Sequence, residues 1–228
     1  MKRELLEELQ RARLAKTPVA VVTRVDDGSQ CLVYSDIETE TEFSISPSRI
    51  LDIRTILRAA RSTMLADTGL FVRSYVPAYR LIIVGAVHIA QSLSILAQES
   101  GYEVVVIDPR RAFATEQRFQ NIQMVAEWPD EAMAVLAPDA QTAVVTLAHD
   151  PKIDDPALIA ALESEAFYIG ALGSRRTHGK RVERLEALGL GEKLGRINAP
   201  VGLNLGGRSH AEIAVAILAQ LIQARYAV

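Results

Sequence analysis

Three short stretches hold the residues whose types and spacing could do chemistry. Gly85-Ala86-Val87-His88-Ile89-Ala90 follows the apolar run RLIIVG and precedes a helix-period segment. That is the setting of the G-x-G-x-x-G/A turn, where free N–H groups at a helix start receive a pyrophosphate. Asp108 stands 23 residues beyond Gly85, at the end of the next apolar run. Such a fold places a ribose-binding acid there. Val87 replaces the glycine that lets backbone approach the phosphates, so tight NAD-like binding is expected to be obstructed. His88 lies at the mouth of the turn, where a lone histidine is more often structural or capping than a ligand.

The second stretch is Thr146-Leu147-Ala148-His149-Asp150. His149 and Asp150 end a predicted strand and face the same crevice as the first turn; alternatively, Asp150-Pro151 only turns the chain. The third is Gly170-Ala171-Leu172-Gly173-Ser174-Arg175-Arg176. A strand ends near Gly170 and a helix begins near Ser174, so unpaired N–H groups point outward. Arg175 and Arg176 then oppose the helix dipole in its first turn, which becomes favourable if an anion sits at that end. Lys180, Arg181 and Arg184 continue a basic face, while Val182, Leu185 and Leu188 are expected in the core. A solvated basic face is the alternative reading.

Other catalytic templates are missing. The sequence has no G-x-S-x-G elbow, H-E-x-x-H pair or Walker loop. Histidines 88, 149, 178 and 210 are scattered, which leaves a zinc site open but unsupported. Cys31 reads as a small buried hydrophobe. No catalytic residue and no metal ligand is assigned.

These stretches need elements to position them. From Arg80 onward, continuous apolar strands (80–85, 102–108, 121–125, 142–147, 166–169) alternate with helical segments (from Ile89, 130–136, 156–163, 174–188, 210–225). That alternation predicts an α/β, Rossmann-like parallel sheet covered on both faces. Ser209 and Glu212 have capping-box spacing before the last helix. Residues 1–78 read as a small α+β module. Leu5, Leu6, Leu9 and Ala12 mark a helix over 2–16, and strands are expected at 18–25, 31–35, 39–45 and 69–76. A helix opens at Ser46-Pro47, with Ile50, Ile53, Leu57 and Ala60 as its stripe.

Composition fits this division into 1–78 and 79–228. The 228 residues are 49% hydrophobic and 23% charged, ordinary for a globular protein, and the net charge of −3 gives no field for nucleic acid or anionic membrane. No apolar run approaches the ~20 residues of a membrane span, and the charged start lacks a signal-peptide core. One cysteine cannot form a disulfide framework. The expectation is a cytoplasmic protein, with a homodimer as the default assembly.

The ordered set LIIVGAVHIA, VVVIDPR, VVTLAHD, FYIGALGSRRTHGKR, INAPVGLNLGG and SHAEIAVAILAQLI resembles the XdhC/CoxI family of accessory proteins for molybdenum hydroxylases, over about residues 79–228. The resemblance implies a Rossmann-like C-terminal domain and binding of molybdenum cofactor (molybdopterin) as cargo. It also implies assistance to sulfuration with a cysteine desulfurase, and insertion into an apo-hydroxylase. The binding residues it points to are Gly85, Ala86, Val87, His88, Asp108, His149, Asp150, Gly170, Gly173, Ser174, Arg175 and Arg176. The chain departs from the family in two places. The Ser-Gly-Gly-Cys-Val-Glu motif of the family's N-terminal domain is absent, so no role carries over to Cys31, and the family's Gly-x-Gly-His loop reads Gly85-Ala86-Val87-His88. An NAD(P)-dependent oxidoreductase using the same crevice and a non-binding, partner-recruiting scaffold are the alternatives.

Overall fold

The computed structural model describes residues 1–35, 43–110, 112–113 and 118–227. The chain forms two compact units, residues 1–77 and 78–227.

In the first unit, β1 (Val19–Arg24) is flanked by β2 (Gln30–Tyr34) and β4 (Leu70–Tyr75), with β3 (Thr63–Leu65) on the far edge of β4. All neighbours pair antiparallel, in the order β2-β1-β4-β3. Successive strand residues point to opposite faces, and β1 buries both. Ala20 and Val22 pack with Ile53 and Leu57 of α2 (Pro47–Arg58), and Val19 and Val21 pack with Leu9 and Ala12 of α1 (Arg3–Leu14). Cys31 is buried in the α2-side core, as its sequence setting implies.

Several local expectations change. Leu6 is exposed on α1. Ala60 lies beyond the end of α2, exposed and with φ 51°, so the buried stripe ends at Leu57. Of the strand expected at 39–45, residues 39–42 lie outside the described residues and 43–45 are not strand.

The second unit is a six-stranded parallel sheet of order β10-β9-β8-β5-β6-β7. Its strands are β5 (Arg80–Val84), β6 (Glu103–Ile107), β7 (Gln123–Val125), β8 (Thr142–Thr146), β9 (Tyr168–Ala171) and β10 (Ile197–Asn198). Read from β7 to β10, this is the 3-2-1-4-5-6 order of dinucleotide folds, and the direction of winding reverses between β5 and β8. Alternation along the strands divides the core. Leu81, Ile83, Val104 and Val145 pack under α3 (His88–Glu99) and α7 (His210–Tyr226). Ile82, Val84, Ile107 and Val144 pack under α4 (Pro129–Leu136) and α5 (Pro151–Glu163), with Leu185 of α6 (Arg175–Glu186). A short 3₁₀ helix, Gly191–Arg196, leads into β10. Among the described residues no helix is long and apolar enough to cross a membrane.

Helix α5 begins earlier than its sequence suggests. Pro151 takes the first helical position and Asp150 the cap, accepting a hydrogen bond from Lys152 N–H at 3.0 Å, while Pro156 lies inside the helix. The expected box at α7 is present: Ser209 Oγ accepts from Glu212 N–H, and the Glu212 carboxylate accepts from Ser209 N–H.

Candidate functional site

All the candidate residues fall at or just beyond the carboxyl ends of four adjacent strands, β6, β5, β8 and β9, the edge where open α/β sheets bind ligands. The β5–α3 turn is tight. Gly85 has φ 107°, and a Cβ placed on it would lie 2.6 Å from Ala148 N. This glycine therefore serves the close approach of the two loops at the switch point. Ala86 is fully buried. Val87 takes an ordinary extended conformation as N-cap of α3 without a side-chain cap, its N–H bonded to Gly85 O.

Asp108 stands where the sequence places it, but its carboxylate is fully buried and occupied. Oδ2 accepts from Ala86 N–H at 2.7 Å and Arg110 Nη2 at 2.8 Å; Oδ1 accepts from Arg110 N–H and Nε, both at 2.9 Å. Burial pushes its pKa up, but the Arg110 and backbone hydrogen bonds outweigh that and hold it below the usual carboxylate value. Arg110, two residues along, is invisible as its partner in the sequence because nothing in the spacing fixes the loop's return.

His88 is exposed, and its ring stacks on that of His210, centroids 5.1 Å apart and planes 16° off parallel. The N-termini of α3 and α7 thus meet at one place, 122 residues apart in the chain. His149 takes φ 62°, a left-handed conformation uncommon for a residue with a side chain. Asp154 holds it there, its two oxygens accepting from Ala148 N–H at 3.2 Å and His149 N–H at 3.1 Å.

At the third stretch, Gly170 faces Val201, whose methyl would lie 2.5 Å from an added Cβ, so it is a packing glycine. Gly173 has φ 140° and abuts the Thr177 side chain. Ser174 caps α6, its Oγ accepting from Thr177 N–H at 3.2 Å. Arg175 and Arg176 are exposed, with no ion pair among the described residues, and the first-turn N–H groups lack helical acceptors. Farther along, the expectation holds for Leu185, which is fully buried, and fails at two other positions. Leu188 is 62% exposed, whereas Arg181 is 2% exposed rather than on a solvated face. His178, Arg181 and Leu185 follow the 3-and-4 spacing of one helical face, so the burial is encoded but masked by charge. Arg181 Nη2 donates to Leu172 O at 3.1 Å and lies 3.7 Å from Asp154 Oδ2. Burial raises the Asp154 pKa to about 6 despite Arg181 and the two N–H donors.

Among the described residues no group of three or more histidine, cysteine, aspartate or glutamate side chains could hold a metal ion. What the described residues of this edge offer is backbone N–H groups and exposed arginines on a Rossmann-like sheet. Comparison with known proteins gives that class a family. The XdhC Rossmann domain profile matches residues 81–221, and the chain belongs to that family. It is 35% identical over 150 residues to the molybdenum cofactor insertion chaperone PaoD of Escherichia coli, covering 65% of this chain and 41% of that one. It is 30% identical over 159 residues to a Bacillus subtilis protein named as a probable xanthine dehydrogenase component, covering 69% and 46%. The chain thus spans less than half the length of these curated relatives. A Bacillus halodurans crystal structure described as a xanthine dehydrogenase shares the fold at TM-score 0.73 and 22% identity, over 98% of this chain and 68% of that one.

Proposed function

We propose that the chain is an accessory protein of a molybdenum hydroxylase, which holds molybdenum cofactor and assists its sulfuration or insertion. The observation that carries this reading is the exposed, uncompensated Arg175–Arg176 turn at the carboxyl edge of a family Rossmann sheet. Arginine can grip phosphate oxygens with two parallel hydrogen bonds, and the first-turn N–H groups add donors for the pterin phosphate or the pyrophosphate of a dinucleotide form. The similarity to an insertion chaperone supports the same cargo. Residues 79–228 would handle the cofactor, at the crevice formed by Gly85–His88, His149, Asp150 and Gly170–Arg176, with 1–78 an appended module. Its partners would be an apo-hydroxylase and a cysteine desulfurase, in the cytoplasm, with the chain acting as a homodimer. The saturated Asp108 carboxylate speaks against the NAD(P) alternative, since a ribose hydroxyl would have to displace Arg110.

The test is cofactor retention. The protein, purified from cells making molybdenum cofactor, should release pterin on denaturation. Arg175→Ala and Arg176→Ala should each lower retention about ten- to a hundred-fold, the loss of one charge-assisted hydrogen bond, without lowering thermal stability. Undiminished retention in both variants would remove the turn from the site.

A further inference from the structure

On the flank of α6 that faces α5, a cleft of about 200 Å³ is lined by His149, Asp154, Arg176, Thr177, Lys180 and Arg181, among others. It is smaller than the ~300–1,000 Å³ of pockets that enclose a whole organic ligand, and suits a single compact group. Its charges are unevenly matched. Asp155 is taken by Arg184, which donates to it at 2.6 and 3.0 Å. Asp154 spends its oxygens on the N–H groups of Ala148 and His149. Arg176 and Lys180 form no ion pair among the described residues.

The decisive group is Arg181. Its side chain is 3% exposed, and its ion-pair partner, Asp154, lies 3.7 Å away, too far for a good hydrogen bond. Nη2 has an acceptor in Leu172 O, but Nε and Nη1 are buried with no acceptor at all among the described residues. A buried guanidinium is tolerated when its remaining protons are satisfied, and here those of Nε and Nη1 are not. A guanidinium fork that matches two oxygens of a phosphate pairs Nη2 with Nε or with Nη1, and Nη2 keeps a second proton besides the one it gives to Leu172 O.

We propose that this cleft is a binding site for a phosphate dianion, either free phosphate or the terminal phosphate of a larger molecule, with Arg181 at its floor and Lys180, Arg176 and Thr177 at its mouth. The site adjoins the proposed cofactor crevice and shares His149 and Arg176 with it, but its floor is Arg181, on the flank of the helix, which the cofactor reading does not use. Phosphate there sets its charge against Arg181 and uses Arg176 and Lys180, which form no ion pair among the described residues.

Calorimetric titration of the full chain tests it, with inorganic phosphate and with glycerol phosphate as a simple phosphomonoester. At least one should bind saturably at concentrations on the order of millimolar or below. Lys180→Ala, an exposed change that leaves the core intact, should weaken binding by about tenfold, and Arg181→Lys, which keeps the charge and loses the fork, by at least as much. Equal affinity for both anions identifies free phosphate as the ligand; a clear preference for the monoester identifies a phosphate end. Arg175→Ala should keep phosphate binding while losing cofactor retention, so the two readings fail separately. The site is overturned if neither anion binds. It is equally overturned if Lys180→Ala binds as wild type does, or if phosphate binding follows Arg175 instead.

Discussion

Two buried carboxylates at the sheet edge take opposite signs, and the difference lies in what their oxygens meet. Asp108 overcomes its burial through Arg110 and two backbone N–H groups, so its folded pKa is lowered. Its contribution to stability is present above the unfolded value of 3.8 and is lost as pH falls through the lower folded value. Asp108→Asn should cost about 1–3 kcal/mol at neutral pH in urea denaturation, mainly through the imperfectly satisfied Ala86 N–H. An unchanged midpoint would mean that this hydrogen bond carries no weight. Asp154 is the converse: with burial first among its causes, its pKa is raised from 3.8 to about 6. The folded state then binds the proton more tightly than the unfolded chain. Stability from this group is full below pH 3.8 and is lost as pH rises to about 6. The span corresponds to about 3 kcal/mol. Between about pH 4 and 7 the stability of wild type should therefore fall relative to Asp154→Asn by about that amount. Parallel pH profiles would show that Asp154 does not titrate in this window. Burial lowers the pKa of Arg181, its ionic partner, as it raises that of Asp154. Desolvation thus exceeds mutual attraction in this pair.

At the scale of elements, the loops that follow β5 and β8 act as one unit. Gly85 permits the approach of Ala148, and Asp154 of α5 pins Ala148 and His149 from the other side. Gly85→Ala combines a left-handed φ with a backbone collision, and should lower stability by about 2–5 kcal/mol in chemical denaturation. A loss under about 1 kcal/mol would show that the loops can separate at little cost. The sheet and its crevice are legible in the sequence, because burial on both faces makes the strands continuously apolar between their helices. Other details are not. β3 has three residues, too few for a period, and β10 has two. Pro156 imitates a helix start that Pro151 already supplies. Arg181 reads as part of a solvated face because its type outweighs its position. The His88–His210 stack joins two helix starts whose sequence separation carries no signal.

The whole molecule contains two separate sets of cores, and their sizes differ in consequence. Residues 78–227 close two clusters, one on each face of a six-stranded sheet. A domain of about 150 residues buries about 70% of its unfolded surface, enough for independent stability. Residues 1–77 divide a smaller apolar supply between α1 and α2 on the two faces of four short strands. At that length a single core rarely supplies more than about 3–5 kcal/mol, and its one cysteine gives no disulfide within the chain. Cys31 itself fills the α2-side core at 2% exposure, so Cys31→Ser would bury a hydroxyl where a thiol packs. The expected outcome is a fragment 78–227 that melts cooperatively with the circular dichroism of a mixed α/β fold. Cys31→Ser in the full chain should lower only the transition of the smaller unit, by about 1–3 kcal/mol. The measurement is thermal unfolding of the full chain, the variant and the fragment side by side. A fragment that fails to fold, or a cysteine change that shifts the fragment's own transition in the full chain, would show that the two units form a single cooperative unit.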